Sequence, residues 1–321
     1  MTAYPKDSKR VDNPTLSVII CTYNRAELLD QCLSSLSKQC SEDIPWDVIV
    51  VDNNCSDNTA IIVEKWQPHM DVKIIKETRQ GLSFARNAGM LYSNSSLVAF
   101  LDDDCTVSPG WLQAVTNGFR EFPDTVCFGG RIDLKWENGV QPSWIPDNVL
   151  PVLGFQDFGN QHIEVKHVNG GNMIWVREIL LHLGGFNVNL GRIAEKKLSS
   201  EESEVEEKAK RAGHIIRYLP KAIAFHWIPV ERQSRRHVLE LCYMVGRSSS
   251  IHDHMNISAG SEVRLFLRST RSLLATVSQL VISCFQELLK KEQKTLYFLC
   301  RTSISLGNWI MNGRFLLFRN K

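Results

Sequence analysis

Apolar residues come in short runs through the first hundred positions, and each run ends on a polar cluster. Leu16–Cys21 lies between Pro14 and the polar Thr22-Tyr-Asn-Arg25, Trp46–Val51 ends at Asp52, and Leu97–Leu101 runs into Asp102-Asp103-Asp104. These runs lack polar alternation, which predicts strands buried on both faces. Val72–Lys76 predicts a short strand between the second and the last. Apolar positions recur at helical spacing over Glu27–Leu36, from a cap at Ser56 or Asp57 to about Trp66, and over Leu82–Tyr92. Strand and helix in alternation predict an α/β protein, a mostly parallel sheet flanked by helices. Such sheets bind ligands beyond the carboxyl ends of their strands. The polar clusters stand at those ends: Thr22 and Tyr23, Asp52 and Asn54, and Asp102 to Asp104.

Composition narrows this picture. With 321 residues, 43% of them hydrophobic, the chain has room for one large domain with an appendage, or for two domains. A net charge of +2 and a pI near 8.0 are too mild for a nucleic-acid partner. Nine irregularly spaced cysteines with no CxxC pair fit a reduced protein, and the polar first fifteen residues lack the apolar stretch of a signal peptide. The expectation is a cytoplasmic chain with a flexible N-terminus over 1–14. Absent motifs exclude two nucleotide-binding classes. No GxGxxG follows the first strand, as a Rossmann dehydrogenase needs, and no GxxxxGK[ST] marks a P-loop.

The aspartate triplet has two readings. Asp is common in solvated turns after strands, and Ser108-Pro-Gly110 follows closely. Alternatively, if the strand persists, Asp102 and Asp104 share one face, and their repulsion is relieved by a cation. Mg²⁺ is usually held by one or two carboxylates plus substrate phosphates, and this position beside Asp52 and Thr22 favours the metal.

Four segments in order, Ser17–Arg25 (SVIICTYNR), Val50–Thr59 (VVDNNCSDNT), Gln80–Gly89 (QGLSFARNAG) and Phe100–Asp104 (FLDDD), resemble family 2 glycosyltransferases of the GT-A fold. Phe128–Ile132 (FGGRI), Asn169–Met173 (NGGNM), Leu183–Phe186 (LGGF) and Tyr218–His226 (YLPKAIAFH) extend the likeness over residues 15 to 230. Each motif is weak alone; their order and spacing carry the resemblance. It implies an inverting, metal-dependent, hexosyltransferase-like enzyme with Mg²⁺ or Mn²⁺, moving a sugar from a nucleotide-sugar, UDP-sugars favoured, to a glycan or lipid-linked acceptor hydroxyl. Cell-surface polysaccharide or glycolipid synthesis would be its setting.

By that likeness Thr22, Tyr23, Asp52 and Asn54 hold the nucleoside, with Asp52 accepting a hydrogen bond from the base. Gly81 and Arg86 belong to the segment packed under the nucleotide, although Arg86 reads equally as a bridge between helix and loop. Asp102 and Asp103 fall near the ribose, and Asp104 binds the metal. Gly171 and Asn172 face donor sugar and acceptor. The family's Gly-Glu-Asp base motif aligns with Ser200-Glu201-Glu202, which makes Glu202, in place of the family's Asp, the general base, with Glu201 on the donor- and acceptor-sugar side and the alternative base. Ser199-Ser-Glu-Glu202 also reads as a capping box, and Glu201, Glu204, Glu206 and Glu207 suit a helix N-terminus without any chemistry. His226 is either a structural residue closing its strand or a metal ligand. One of Trp136, Trp144 and Trp175 is a candidate to stack on a sugar, with core packing the alternative.

Nucleotide-binding and acceptor-side halves at 15–105 and 106–230 make up the expected catalytic domain. Beyond, over 231–321, Arg and Lys punctuate helical stretches such as Ser272–Leu289, too short and too polar to span a bilayer. Two readings stay open: basic amphipathic helices lying peripherally on the inner membrane face, or a soluble helical cap. Two other functions compete. A non-catalytic nucleotide-sugar-binding scaffold would lose the acidic triplet or the base, and a sugar-1-phosphate nucleotidyltransferase would need a glycine-rich loop in place of Cys21–Arg25.

Overall fold

A computed structural model describes residues 15–40, 44–190, 192–193, 196–197, 201–256, 262–287 and 292–317. The expected N-terminal tail and Ser199-Ser200 of the capping box lie outside them. The chain divides into two compact units, residues 1–134, 155–196 and 201–227 in the first and 135–154, 197–200 and 228–321 in the second. The turn from sheet to tail thus falls near 228, and the stretch 135–154, expected on the acceptor side, is grouped with the C-terminal helices.

In the first unit the predicted elements form almost at their predicted bounds. They run β1 (Leu16–Thr22), α1 (Ala26–Leu36), β2 (Trp46–Asp52), α2 (Thr59–Trp66), β3 (Val72–Lys76), α3 (Leu82–Tyr92) and β4 (Leu97–Asp102). There follow β5 (Cys105–Val107), α4 (Trp111–Glu121), β6 (Thr125–Trp136), β7 (Ile163–Glu164), β8 (Asn172–Val176) and α5 (Arg177–His182). Two short strands, β9 (Arg192–Ile193) and β10 (Lys196–Lys197), pair with each other, and α6 (Glu201–Arg211) leads into β11 (Ile215–Ile228). The main sheet runs β3-β2-β1-β4-β8-β6-β11-β5, with β7 on β11. Strands β1 to β4 are parallel, while β8 is antiparallel to β4 and β6, and β5 is antiparallel to β11.

Both faces are covered because the strands are apolar on both. Val18 and Ile20, Val48 and Val50, and Leu97, Ala99 and Leu101 enter one core with Leu29, Leu33 and Trp111. Ile19, Ile49 and Val51, and Val98 and Phe100, enter a second core with Ala85, Trp175 and Val205. The period of two along each strand thus feeds two layers. Fully burying one such aliphatic side chain contributes about 1.5–3 kcal/mol. Gly89 of α3 lets that helix lie on β1: a Cβ there would meet Ile19 Cγ2 at 2.5 Å.

In the second unit α7 (Arg235–Asn256) and α8 (Glu262–Glu287) each pack on α9 (Glu292–Leu317). Helices α7 and α9 touch backbone to backbone, since a Cβ on Gly246 would collide with Ile304 O and one on Gly307 with Tyr243 O. Ser250 donates to Asn312 Oδ1 at 2.6 Å further along the seam. Trp309 Nε1 donates to Thr270 Oγ1 at 3.0 Å, fixing α8 on α9. No helix among the described residues is long and apolar enough to cross a membrane.

Candidate active site

Strand β4 stops at Asp102, so the aspartates do not alternate as a continued strand would require. Asp103 and Asp104 occupy a turn, both buried, and share one guanidinium. Arg25 Nη1 donates to Asp103 Oδ1 at 2.9 Å and to Asp104 Oδ2 at 3.0 Å. Thr22, at the end of β1, donates its hydroxyl to Asp103 Oδ2 at 2.8 Å. It is 2% exposed and is therefore spent on the aspartate turn, whereas Tyr23 beside it is 48% exposed. Burial pushes the Asp103 carboxyl up to about 6, with Arg25 opposing and Asp104 adding to the rise. Burial also works against the charged Arg25, but Asp103 and Asp104 outweigh it and raise its pKa.

The antiparallel pair β5–β11 decides where His226 goes. His226 is registered on Cys105, and Trp227 N donates to Asp104 O at 2.9 Å. His226 Nε2 consequently stands 3.4 Å from Asp104 Oδ1. No group of three or more His, Cys, Asp or Glu suited to a metal occurs among the described residues. One carboxylate and one imidazole nevertheless fit a divalent cation that takes its other ligands from a diphosphate and water.

The residues expected to hold the nucleoside are positioned by the two loops after β1 and β2. Asn24 and Asn54 both adopt positive φ, 53° and 70°, a conformation Asn tolerates better than most residues. Asn24 Oδ1 accepts from Ser56 N at 2.7 Å, and Asp57 Oδ2 accepts from Ala26 N at 2.8 Å, so the loops interlock. Asp52 Oδ1 accepts from Cys55 N at 2.6 Å. Asn54 Nδ2 donates to Thr78 O and Gln80 Oε1, both at 3.0 Å. Gly81, at φ 142°, starts α3 and donates its N–H to Asn53 Oδ1 at 2.8 Å.

Arg86 is 3% exposed and sits between the triplet and α6. It donates to Glu201 Oε1 at 2.9 Å and to Gly170 O at 3.1 Å, and lies 3.5 Å from Asp102 Oδ1. Of its two readings, these contacts fit the bridge. Asp102, whose side chain is 38% exposed, thus turns away from the other two aspartates and towards Arg86. Gly171 lies against it, since a Cβ there would come 2.9 Å from Asp102 Oδ2.

Asn172 is turned inward, contrary to its expected place facing the sugars. It is 0% exposed: Oδ1 accepts from Trp111 Nε1, and Nδ2 donates to Arg131 O and Ala222 O, so its hydrogen bonds hold the sheet together. Trp175 is likewise 0% exposed and belongs to the core.

The acids at the start of α6, which suit a helix N-terminus by charge, are mostly not in solvent. Glu201, Glu204 and Glu206 are buried, and Glu202 is half-buried. Burial, then Glu202, raise the Glu201 carboxyl above its usual range while Arg86 pulls it down. Among the described residues Glu202 forms no such ion pair, and its buried Oε2 has no hydrogen-bond partner. Glu206, 0% exposed, accepts from Val168 N and lies against His167 Nδ1, both at 3.0 Å. It anchors the segment in which Asn169 Oδ1 takes the Gly171 N–H at 2.9 Å. Burial lifts its carboxyl to about 7, with His167 and the Val168 N–H opposing. Arg25 and Glu206 were not legible as site residues. Arg25 appears in sequence only as a loop residue bounding β1, and Glu206 only as one more acid in a helix start.

The sheet, parallel over β1 to β4, thus carries interlocked loops at those strand ends, a buried acidic turn after β4 and the carboxylate-bearing helix α6. Residues 17–183 match the glycosyl transferase family 2 domain, and the chain belongs to that family. It is 28% identical over 194 residues to the glucosyl-dolichyl phosphate glucuronosyltransferase of Haloferax volcanii, covering 59% of this chain and 61% of the relative. It is 32% identical over 267 residues to the chondroitin synthase of Escherichia coli, covering 72% of this chain and 37% of the relative. The chain thus spans about three fifths of the first relative's length and just over a third of the second's. The fold is that of the mannosyltransferase of Pyrobaculum calidifontis, solved with GDP-Man and Mn²⁺. That match has a TM-score of 0.61 at 16% identity, covering 98% of this chain and 90% of the other.

Proposed function

We propose that the chain is an inverting, metal-dependent glycosyltransferase with Glu202 as its general base. The observations that support this are the pairing of Asp104 with His226 and, on α6, the half-buried Glu202, whose buried Oε2 has no hydrogen-bond partner among the described residues. Asp104 and His226 would hold Mg²⁺ or Mn²⁺, and the ion when bound supplies charge neutralisation at the departing nucleoside diphosphate. Asp52 orients the base through its carboxylate, which suits the imide N–H of uracil and so favours a UDP-sugar, with Thr22 fixing the aspartate turn below. Asp102, Asp103 and Gly171 border the ribose and donor sugar. Glu202 takes the proton of the acceptor hydroxyl as its oxygen bonds to the anomeric carbon and the bond to the diphosphate breaks. Attack from the face opposite the leaving group inverts that carbon. The test is release of nucleoside diphosphate from a panel of UDP-, GDP- and dTDP-sugars, with Mn²⁺, Mg²⁺ or EDTA. Metal-dependent release from one donor is expected, and full release in EDTA rejects the metal.

The acceptor is a glycan or lipid-linked hydroxyl, with the C-terminal helices in peripheral contact with an anionic membrane. Val263, Leu267, Leu274 and Val277 form an exposed stripe on α8, at 53%, 52%, 65% and 40% exposure. Arg264, Arg268 and Arg271 stand exposed alongside. An apolar stripe flanked by cations matches a bilayer surface, each basic residue adding about 1 kcal/mol near anionic lipid. Cosedimentation with phosphatidylserine vesicles is expected to fall on replacing the three arginines by Gln; equal binding to neutral vesicles rejects the charge contribution.

A further inference from the structure

We propose that Arg25 is a built-in counter-cation of the aspartate turn, which makes divalent-metal binding at Asp104 depend on a nucleoside diphosphate. The inference rests on the metal reading above and adds an order of binding to it. A single nitrogen, Nη1, serves both carboxylates, at 2.9 Å and 3.0 Å. The second oxygen of Asp103 is taken by the Thr22 hydroxyl at 2.8 Å, and the second oxygen of Asp104 faces His226 at 3.4 Å. Asp103 and Asp104 are both ion-paired to Arg25, so the guanidinium cancels one of their two charges. The aspartate side chains are 6% and 5% exposed, and little water intervenes to screen them.

A dication arriving alone therefore meets a site already half neutralised. It must displace Arg25 from Asp104 or lie beside a like charge. A nucleoside diphosphate changes both conditions. Its phosphate oxygens would complete the metal's shell, and they offer the planar guanidinium fork a charged acceptor that it can bind bidentately. Arg25 is built to make that exchange. Its main chain is fixed, because its carbonyl accepts Leu29 N at 3.0 Å in the first turn of α1. Its side chain is 33% exposed, against 6% and 5% for its partners, so the cation can swing while the carboxylates stay. Nucleotide and metal should strengthen one another's binding by one shared factor, as linkage requires.

The test is calorimetric Mn²⁺ titration of the full chain with and without UDP, GDP or dTDP, comparing wild type with Arg25→Gln and Arg25→Lys. Removing a unit charge a few ångströms from the ion should let Arg25→Gln bind Mn²⁺ alone roughly tenfold or more tightly than wild type. The factor by which nucleotide strengthens Mn²⁺ binding should shrink to match, and Arg25→Lys, which keeps the charge, should bind Mn²⁺ alone as weakly as wild type. Unchanged or weaker Mn²⁺ binding by folded Arg25→Gln overturns the proposal and leaves the metal reading standing. Wild type that takes no Mn²⁺ with any of the three nucleotides overturns the metal reading itself. If Arg25→Gln does not fold, the double variant Arg25→Gln/Asp103→Asn, which removes one charge of each sign, is titrated instead. Asp104 has again lost its competitor, so Mn²⁺ alone should bind more tightly than to wild type; equal or weaker binding overturns the proposal.

Discussion

Arg86→Met separates the two roles open to that residue, a nucleotide contact or a scaffold bridge. The guanidinium satisfies Glu201 Oε1 at 2.9 Å and Gly170 O at 3.1 Å, and faces Asp102 Oδ1 at 3.5 Å. The Arg86 and Glu201 side chains are each 4% exposed, so neither Glu201 nor the carbonyl can recover its hydrogen bond from water. Asp102, at 38%, can rehydrate. Breaking a buried pair from one side costs about 3–5 kcal/mol, and the rehydration of Asp102 puts this site near the lower figure, about 3 kcal/mol. That is a large part of the roughly 5–15 kcal/mol that holds a domain folded. The loss should also depend on pH. Arg86 lowers the Glu201 carboxyl against burial and Glu202, so without it the folded carboxyl holds its proton to still higher pH. The variant's deficit should therefore be smaller at pH 5 than at pH 8. Urea unfolding at both values, read as midpoint shift times slope, measures it. Replacing both partners, Arg86→Met with Glu201→Met, should recover much of the deficit, since no buried charge is then left alone. A single variant within about 1 kcal/mol of wild type that has lost UDP and GDP binding would refute the bridge and put Arg86 on the ligand.

Two further outcomes are expected. Glu202→Gln should keep the melting temperature and donor affinity but lose about 10²–10⁴-fold in turnover; near-normal turnover moves the base elsewhere. Glu206 has a folded pKa of about 7 against an ordinary 4.5, so the unfolded chain binds fewer protons between those values and wild-type stability falls as pH rises through them. Glu206→Gln lacks that loss, and its stability relative to wild type should rise by something on the order of 3 kcal/mol from pH 5 to pH 8, at 1.36 kcal/mol per unit. Parallel stability–pH curves would refute it.

The sequence alone determined whatever a few neighbouring residues can encode. Apolar runs ending on polar clusters placed β1 to β4 within a residue at each end, because a strand buried on both faces has no other pattern open to it. The ordered motifs identified the family, which the match over residues 17–183 shows. Partners across the fold were out of reach. Arg86 meets Glu201 at a separation of 115 residues and Arg25 meets Asp103 at 78, and hydrophobic periodicity carries no record of either. The end of β4 at Asp102 decided that the aspartates split between two guanidiniums, where an extended strand would have paired Asp102 with Asp104. Asn172 looked like a ligand residue, but its register opposite Leu101 turned it into the sheet, where Trp111, Arg131 and Ala222 use all its hydrogen bonds. The glutamates of α6 read as acids suited to a helix N-terminus; in the fold three of them are buried, Glu201 against Arg86 of α3 and Glu206 against Val168. Local pattern fixes which faces are apolar. Which charge is buried against which follows only once those faces have been brought together.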